Sequence, residues 1–186
     1  MTTLNLGVVG NCSFSALIDP KASIVWCCLP RFDGDPIFNA LLAGTEDPAD
    51  GLFSIRLEGL AETEQHYEPN TAVLVTRLHG SSGSVEIVDC VPRFFWRDRI
   101  FRPQTLVRRI RPIAGTPRIS VHVRPTFAYG TVRPQITRGS NHVRYIGPET
   151  TLRLTTDAPI DYVIDETRFN LTAPLDFVFG PDETLS

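Results

Sequence analysis

Prolines and glycines recur along the whole chain. Among its 186 residues, 15 are proline and 13 are glycine. Proline interrupts the hydrogen bonding of a helix and glycine lowers helix stability, so this distribution disfavours long helices. It suits many short strands joined by tight turns, and we expect an all-β fold.

The strand pattern is clearest in two segments rich in β-branched residues, 72–79 and 85–91. Ser81-Ser82-Gly83 lies between them and predicts a hairpin. Further strands are predicted at 7–10, 16–18, 23–28, 52–57, 65–67, 105–110, 118–126, 141–146, 151–156, 162–164 and 177–179. One helix is predicted at 36–44, with proline in its first turn, glycine at its end and Asp35 as its N-cap.

The composition is that of an ordinary globular domain. Hydrophobic residues make up 42% and charged residues 21% of the chain, which has a net charge of −3. This charge argues against nucleic acid and anionic membranes as partners. Neither an internal repeat nor a linker divides the sequence, so we expect one domain over residues 1–186.

Several features predict a cytoplasmic protein without cofactor or metal. The first residues, Met1 to Asn5, lack a basic and apolar leader, and no segment approaches the ~18 apolar residues of a membrane helix. The cysteines form no C-x-x-C pair and have no histidine at ligand spacing: Cys12, Cys27, Cys28 and Cys90. We therefore expect reduced, mostly buried thiols.

Two segments near the start hold the most specific residues. Residues 9–18 read Val-Gly-Asn-Cys-Ser-Phe-Ser-Ala-Leu-Ile, and residues 23–33 read Ser-Ile-Val-Trp-Cys-Cys-Leu-Pro-Arg-Phe-Asp. Together they resemble the opening of the bacterial family 15 glycoside hydrolases, the glucoamylase, glucodextranase and trehalase-like enzymes. The resemblance continues at 36–42, 51–55, 67–74, 88–92, 124–130 and 133–134. It departs from the family at Val25 and Ala128, where aspartate is usual or common.

The resemblance implies an architecture. In this family an antiparallel β-supersandwich, with at most one or two short helices, precedes an (α/α)6 barrel. The barrel hydrolyses α-glucosidic bonds with inversion, using two glutamates. Because the sequence reaches only the end of the sandwich, we expect the barrel to be absent. The chain would then be a truncated gene product, an isolated domain or a protein encoded apart from its barrel.

The expected function follows from that architecture. It is a non-catalytic accessory domain that supports and partly covers a barrel of the same or a companion chain, or that mediates assembly. One alternative is a stand-alone carbohydrate-binding module for α-glucosides. Another is a structural domain that associates with itself as a homodimer.

No catalytic residue is assigned within the chain. Inverting hydrolysis requires an acid and a base carboxyl roughly 6.5–9.5 Å apart, whereas most carboxylates here fall in loops or turns. Asp33 and Asp35 form the most interesting pair. An ion pair of Asp33 with Arg31, or the helix cap by Asp35, explains them better than a calcium loop. The four scattered histidines are expected on the surface or in strands: His66, His79, His122 and His142.

Two segments are candidate binding sites. Arg31, Phe32 and Asp33 follow a buried strand and are expected to abut the barrel near its mouth, with local pairing of the two charges as an equal alternative. The segment 93–102 mixes arginines and aromatics, and Phe95 and Trp96 could stack on sugar rings. A hairpin whose aromatics face the core, or an interface patch, is the preferred interpretation of this segment. Nucleic acid is disfavoured by the net acidity.

Overall fold

The computed structural model describes residues 5–45 and 47–182. In this part of the chain the elements are strands, one short helix and one 3-10 turn. In chain order the strands are β1 (Gly7–Gly10), β2 (Ser15–Ile18), β3 (Ile24–Cys28), β4 (Pro36–Phe38), β5 (Leu52–Leu57), β6 (Leu60–Tyr67), β7 (Leu74–Gly80), β8 (Gly83–Cys90), β9 (Phe94–Trp96), β10 (Arg99–Phe101), β11 (Leu106–Gly115), β12 (Arg118–Arg124), β13 (Gln135–Arg138), β14 (His142–Ile146), β15 (Thr151–Thr156), β16 (Phe169–Asn170) and β17 (Leu175–Pro181). The helix α1 is Ile160–Ile164 and the 3-10 turn is Ala40–Ala43.

The strands form two large antiparallel sheets and one separate hairpin. Sheet A has the order β1-β2-β3-β5-β12-β16, with β4 paired to β3. Sheet B has the order β13-β14-β15-β17-β11-β8-β7-β6, and β9 pairs only with β10. The predicted all-β fold is confirmed, since strands hold 53% of the described residues and helices 5%.

The core lies between the two sheets. Phe53 of sheet A packs against Phe177 and Phe179 of sheet B, with ring centroids 5.9 and 6.5 Å apart. These rings belong to one apolar cluster that draws on both sheets. Each fully buried side chain of this size contributes about 1.5–3 kcal/mol through removal from water, which makes this cluster the main cohesion of the sandwich.

A buried ion pair also joins the two layers. Arg108 of β11 donates from Nε and Nη2 to the Asp89 carboxylate at 2.7 and 3.0 Å, and from Nη1 to the Phe53 carbonyl at 3.0 Å. Both charged side chains are inaccessible to solvent, and the guanidinium lies 4.7 Å from the centre of the Phe53 ring. Burial raises the pKa of Asp89, while the charge of Arg108 opposes the rise.

Two predicted elements are wrong. Residues 36–44 form β4 and the 3-10 turn instead of a helix, because residues 36–38 pair with β3, and Ile37 and Phe38 are fully buried in the core. Residues 162–164 lie in α1 instead of a strand. Ile160 and Val163 are buried three residues apart, which places them on one face of a helix.

The cysteines and the first residues of the chain were also subjects of prediction. All four cysteines are free; Cys27 and Cys28 are buried, Cys90 is half-buried and Cys12 is exposed. Burial raises the pKa of Cys27. Residues 1–4, which entered the prediction about a leader, lie outside the described residues. Among the described residues no helix is long and apolar enough to cross a membrane.

Candidate functional site: the cleft end of the sandwich

One end of the sandwich collects most of the candidate residues. We call it the cleft end and define it by residues 11–13, 29–35, 92–104 and 180–182. An open cleft of about 430 Å³ lies there. It is lined by Pro30, Gln104, Arg144, Glu149, Thr150, Thr151, Pro181 and Asp182.

The cleft lacks the chemistry of a glycosidase. Asp182 is bound by Arg144 at 2.5 Å and by Arg153 at 3.6 Å, so its carboxylate is already neutralised by two guanidinium groups. Glu149 is the other acid that lines the cleft. Because Asp182 is paired, the described residues that line the cleft do not present two free carboxyls for inverting hydrolysis. In the described part of the chain, no group of three or more His, Cys, Asp or Glu side chains could hold a metal ion.

The loop with Arg31, Phe32 and Asp33 projects into solvent beside the cleft. Arg31 donates from Nε and Nη2 to the two carboxylate oxygens of Asp33 at 2.9 and 2.8 Å. The hydrogen bonds from Arg31 lower the pKa of Asp33. The two charges are thus paired locally, and Phe32 is 55% exposed. The loop presents an aromatic ring beside a neutral ion pair.

Asp35 supports a neighbouring turn, and the expected helix cap is wrong. Its carboxylate accepts hydrogen bonds from the backbone N–H groups of Ala128 and Tyr129. Both turn residues have positive φ angles, 49° and 54°. An acceptor for two N–H groups stabilises a conformation that residues other than glycine adopt at a cost. In the sequence this turn is marked by the glycine that ends the run Phe-Ala-Tyr-Gly at 127–130.

The segment 93–102 is a hairpin that stands out from the body. The residues of β9 and β10 are all exposed, with Phe95 at 75% and Trp96 at 60%. The connecting residues Arg97 and Asp98 both have positive φ angles, as a two-residue hairpin turn requires. The hairpin itself matches the prediction, but its aromatics face solvent and not the core.

Asn11 holds the base of this hairpin. Its side chain is buried, and Nδ2 donates to the carbonyls of Pro92 and Pro103, both at 2.9 Å. These two prolines precede and follow the hairpin, so one side chain fixes both legs. Oδ1 accepts from the N–H of Ser13 at 3.0 Å. This role of Asn11 was not predicted, although Asn11 stands in the Val-Gly-Asn-Cys run that carries the resemblance.

A second polar cluster lies away from the cleft end, on β12. Ser120 Oγ is 2.8 Å from His122 Nε2, and His122 Nδ1 is 2.9 Å from Glu166 Oε2, the order found in a hydrolase triad. However, the Nδ1–H bond does not point at that oxygen, and Arg124 donates to both oxygens of Glu166. Ser120 is also buried. The cluster therefore ties the segment after α1 to β12.

The sequence was compared with known proteins. It matches the family described as "Trehalase-like, N-terminal" over residues 4–177. It is 35% identical to Trehalase 1 of Sulfolobus acidocaldarius over 181 residues, which are 95% of this chain and 29% of that trehalase. It is 26% identical to a trehalase of Mycolicibacterium smegmatis, covering 68% of this chain and 20% of the relative. It is 23% identical to a trehalase of Thermoplasma volcanium, covering 83% of this chain and 24% of the relative.

The chain thus spans less than a third of the length of these curated relatives. The family match extends over nearly all the described residues and over both sheets. We conclude that this chain belongs to the trehalase-like N-terminal family.

Proposed function

We propose that this chain is a non-catalytic accessory domain of an α-glucoside hydrolase of the trehalase kind, within the family 15 glycoside hydrolases. It supports and partly covers a catalytic (α/α)6 barrel in the cytoplasm. The observation that carries the proposal is the coverage of the relatives. The chain matches the S. acidocaldarius Trehalase 1 over 95% of its own length but accounts for only 29% of that trehalase, and it accounts for 20% of the M. smegmatis trehalase.

The cleft end is the face that we assign to the barrel. Its cleft has no pair of free carboxyls, which fits a supporting role. The ring of Phe32 is exposed there and would pack against the barrel. In the assembled enzyme Arg31 and Asp33 would exchange part of their mutual pairing for hydrogen bonds across the interface, where bidentate arginine contacts are strong.

A hybrid enzyme tests this proposal. In the hybrid, residues 5–182 of this chain replace the matching part of the S. acidocaldarius Trehalase 1, and kcat/KM for trehalose is measured. We expect an active hybrid. Phe32→Ala and Arg31→Ala should lower kcat/KM roughly tenfold or more if the loop positions the barrel. The control is Arg138→Ala, which breaks an exposed ion pair between β13 and Asp161 of α1.

Three results would contradict the proposal or part of it. An inactive hybrid would remove the accessory role. An active hybrid with unchanged kcat/KM in both loop variants would remove the role of the loop. Hydrolysis of trehalose by the isolated chain would show that the domain is itself catalytic.

One observation favours a second function, a carbohydrate-binding module. Phe95 and Trp96 are exposed aromatics of the size that stacks on sugar rings. Titration of the isolated chain with maltose, trehalose and soluble starch tests this alternative, with Trp96→Ala as the matched variant. Saturable binding near millimolar or tighter that is lost in the variant would support the module. No detectable binding of any of the three sugars would eliminate the carbohydrate-binding module.

A further inference from the structure

The arginines of this protein divide into two groups. Thirteen of the 17 arginines lie within 4.0 Å of a carboxylate oxygen. Among the described residues, the four without such a partner are Arg93, Arg97, Arg99 and Arg102. All four lie in the segment that forms the aromatic hairpin and its legs. The arginines without a carboxylate partner are therefore concentrated in one ten-residue segment.

Both faces of this hairpin are apolar. Phe94 lies opposite Phe101 in the pairing register, and the two rings stack at 5.7 Å with planes 13° apart. Because side chains alternate along a strand, Phe95 and its partner Ile100 lie on the other face. Each of these four side chains is at least 41% exposed. A flat surface could cover only one face, whereas a groove covers both.

The hairpin is also fixed at its base. Asn11 bonds both legs, and Val91 and Leu106 on either side of the segment are buried in the core. A rigid projection loses little conformational freedom when it binds, which favours its use as a recognition element.

We infer that the hairpin of residues 93–102 inserts into an apolar groove, rimmed by carboxylates, on a partner protein. The inference rests on the proposed function for the identity of that partner, the catalytic part of the trehalase. The apolar faces of β9 and β10 fill the groove, and the four arginines pair with the acidic rim. Arginine suits this role because its guanidinium binds carboxylates in a bidentate manner.

Charge disfavours the other occupants. A symmetric dimer through the hairpins would bring together two segments that each carry four arginines and one aspartate, a charge of +3, and like charges repel. Since the whole chain carries −3, the rest of the molecule carries −6 and repels nucleic acid and anionic membranes.

Amide hydrogen exchange in the hybrid enzyme tests the inference. Exchange of residues 94–101 is compared between the isolated chain and the hybrid. We expect the hybrid to slow it by about tenfold or more. The double variant Arg93→Glu/Arg99→Glu should restore the rate of the isolated chain, as should Trp96→Ala. Arg109→Glu, an exposed arginine of β11, is the control for charge and should leave the protection unchanged.

The outcomes separate this inference from the proposed function. An active hybrid whose hairpin exchanges as fast as in the isolated chain overturns the inference and leaves the proposed function standing. A protected hairpin in an inactive hybrid supports the inference and contradicts the proposed function. If neither protection nor activity is found, both fail. Circular dichroism of each variant in the isolated chain verifies folding. We expect unchanged spectra because the substituted side chains are exposed.

Other partners are tested with the isolated chain. The probes are vesicles of phosphatidylcholine and phosphatidylserine, a single-stranded DNA oligonucleotide and, by sedimentation, the chain itself. We expect no binding and a monomer. Binding to vesicles or DNA that is lost in Arg93→Glu/Arg99→Glu would overturn the inference and identify that ligand as the partner of the hairpin. A dimer abolished by the same variant would identify a second copy as that partner.

Discussion

Asp89 and Arg108 show how single residues tie the two layers together. Their pairing is complete on both carboxylate oxygens, and the third arginine contact crosses to the backbone of Phe53 in the opposite sheet. The β-branched residues of 85–91 predicted the strand that carries Asp89. The pattern could not reveal its partner, because β8 and β11 pair through contacts distant in sequence.

Removing one member of this pair should be costly. Asp89→Asn leaves the Arg108 charge buried without a counter-ion, and we expect a loss of about 3–5 kcal/mol in the free energy of unfolding. Urea unfolding measures it. The control is Asp161→Asn, which breaks an exposed pair with Arg138 and should cost about 0–1 kcal/mol. Equal losses in both variants would show that the buried charge is not the cause.

His122 should make stability depend on pH. Burial is the main cause that lowers the pKa of His122 from its usual 6.5; Arg56 and Arg124 lower it further, and Glu166 opposes them. The unfolded chain therefore binds a proton first as the pH falls. The stabilisation by neutral His122 is complete above about pH 6.5 and is lost as the pH falls through the unfolded pKa towards the folded one.

The measurement is urea unfolding at about pH 7.5 and about pH 5.5. The contribution of one proton to the slope is at most about 1.4 kcal/mol per pH unit. His122→Asn should flatten the slope in this window. His66→Asn, which changes an exposed histidine, should not.

The carboxylate of Glu166 affects the free energy of unfolding in more acidic solution. Burial raises its pKa, but Arg124 and His122 lower it more, so its stabilisation is lost below about its usual 4.5.

At the scale of elements, the β7–β8 hairpin is held against β11 by a close backbone approach. Gly83 has φ of +141°, and a Cβ there would lie 2.5 Å from the Ala114 carbonyl oxygen and 3.0 Å from the Pro117 nitrogen. The contact falls where β8 meets the irregular end of β11. The sequence predicted the turn but not the neighbour that demands glycine.

Gly83→Ala should cost about 2–4 kcal/mol in the free energy of unfolding, from the unfavourable φ and from the clash. Gly44→Ala separates the two effects. Gly44 has φ of +65° and nothing within 4 Å of its added Cβ, so its cost should be about 1 kcal/mol. Thermal or urea unfolding of both variants provides the comparison. A cost at Gly83 no greater than that at Gly44 would contradict the close approach.

The elements also show where local patterns mislead. Periodicity located most strands within a few residues, because those strands alternate or carry β-branched residues. It failed at 36–44, where burial of Ile37 and Phe38 in the core overrode the helix signals. It failed at 162–164, where Tyr-Val-Ile suggested a strand but Pro159 begins a single helical turn. At the cleft end the loop and the hairpin were recognised, whereas the clamps by Asn11 and Asp35 join residues about 80 or more positions apart.

At the scale of the whole molecule, β17 completes the core. Phe177 and Phe179 are fully buried, and the strand lies between β15 and β11 in the middle of sheet B. Deletion of residues 175–186 should abolish cooperative urea unfolding, because the core would lose both rings and sheet B would split. Replacing the exposed residues 94–101 by a glycine pair should preserve the cooperative transition. Retained cooperativity without β17 would show that sheet B is stable in two parts.

The central position of the final strand has a consequence for synthesis. A ribosome releases β15 and β11 before β17, so both strands wait in the nascent chain with unpaired N–H and C=O groups along one side. Such open strand edges are templates for pairing with neighbouring chains. This protein can therefore complete its fold only after residue 181 has left the exit tunnel. Until then the edges of β11 and β15 that β17 will cover are open to pairing with other chains.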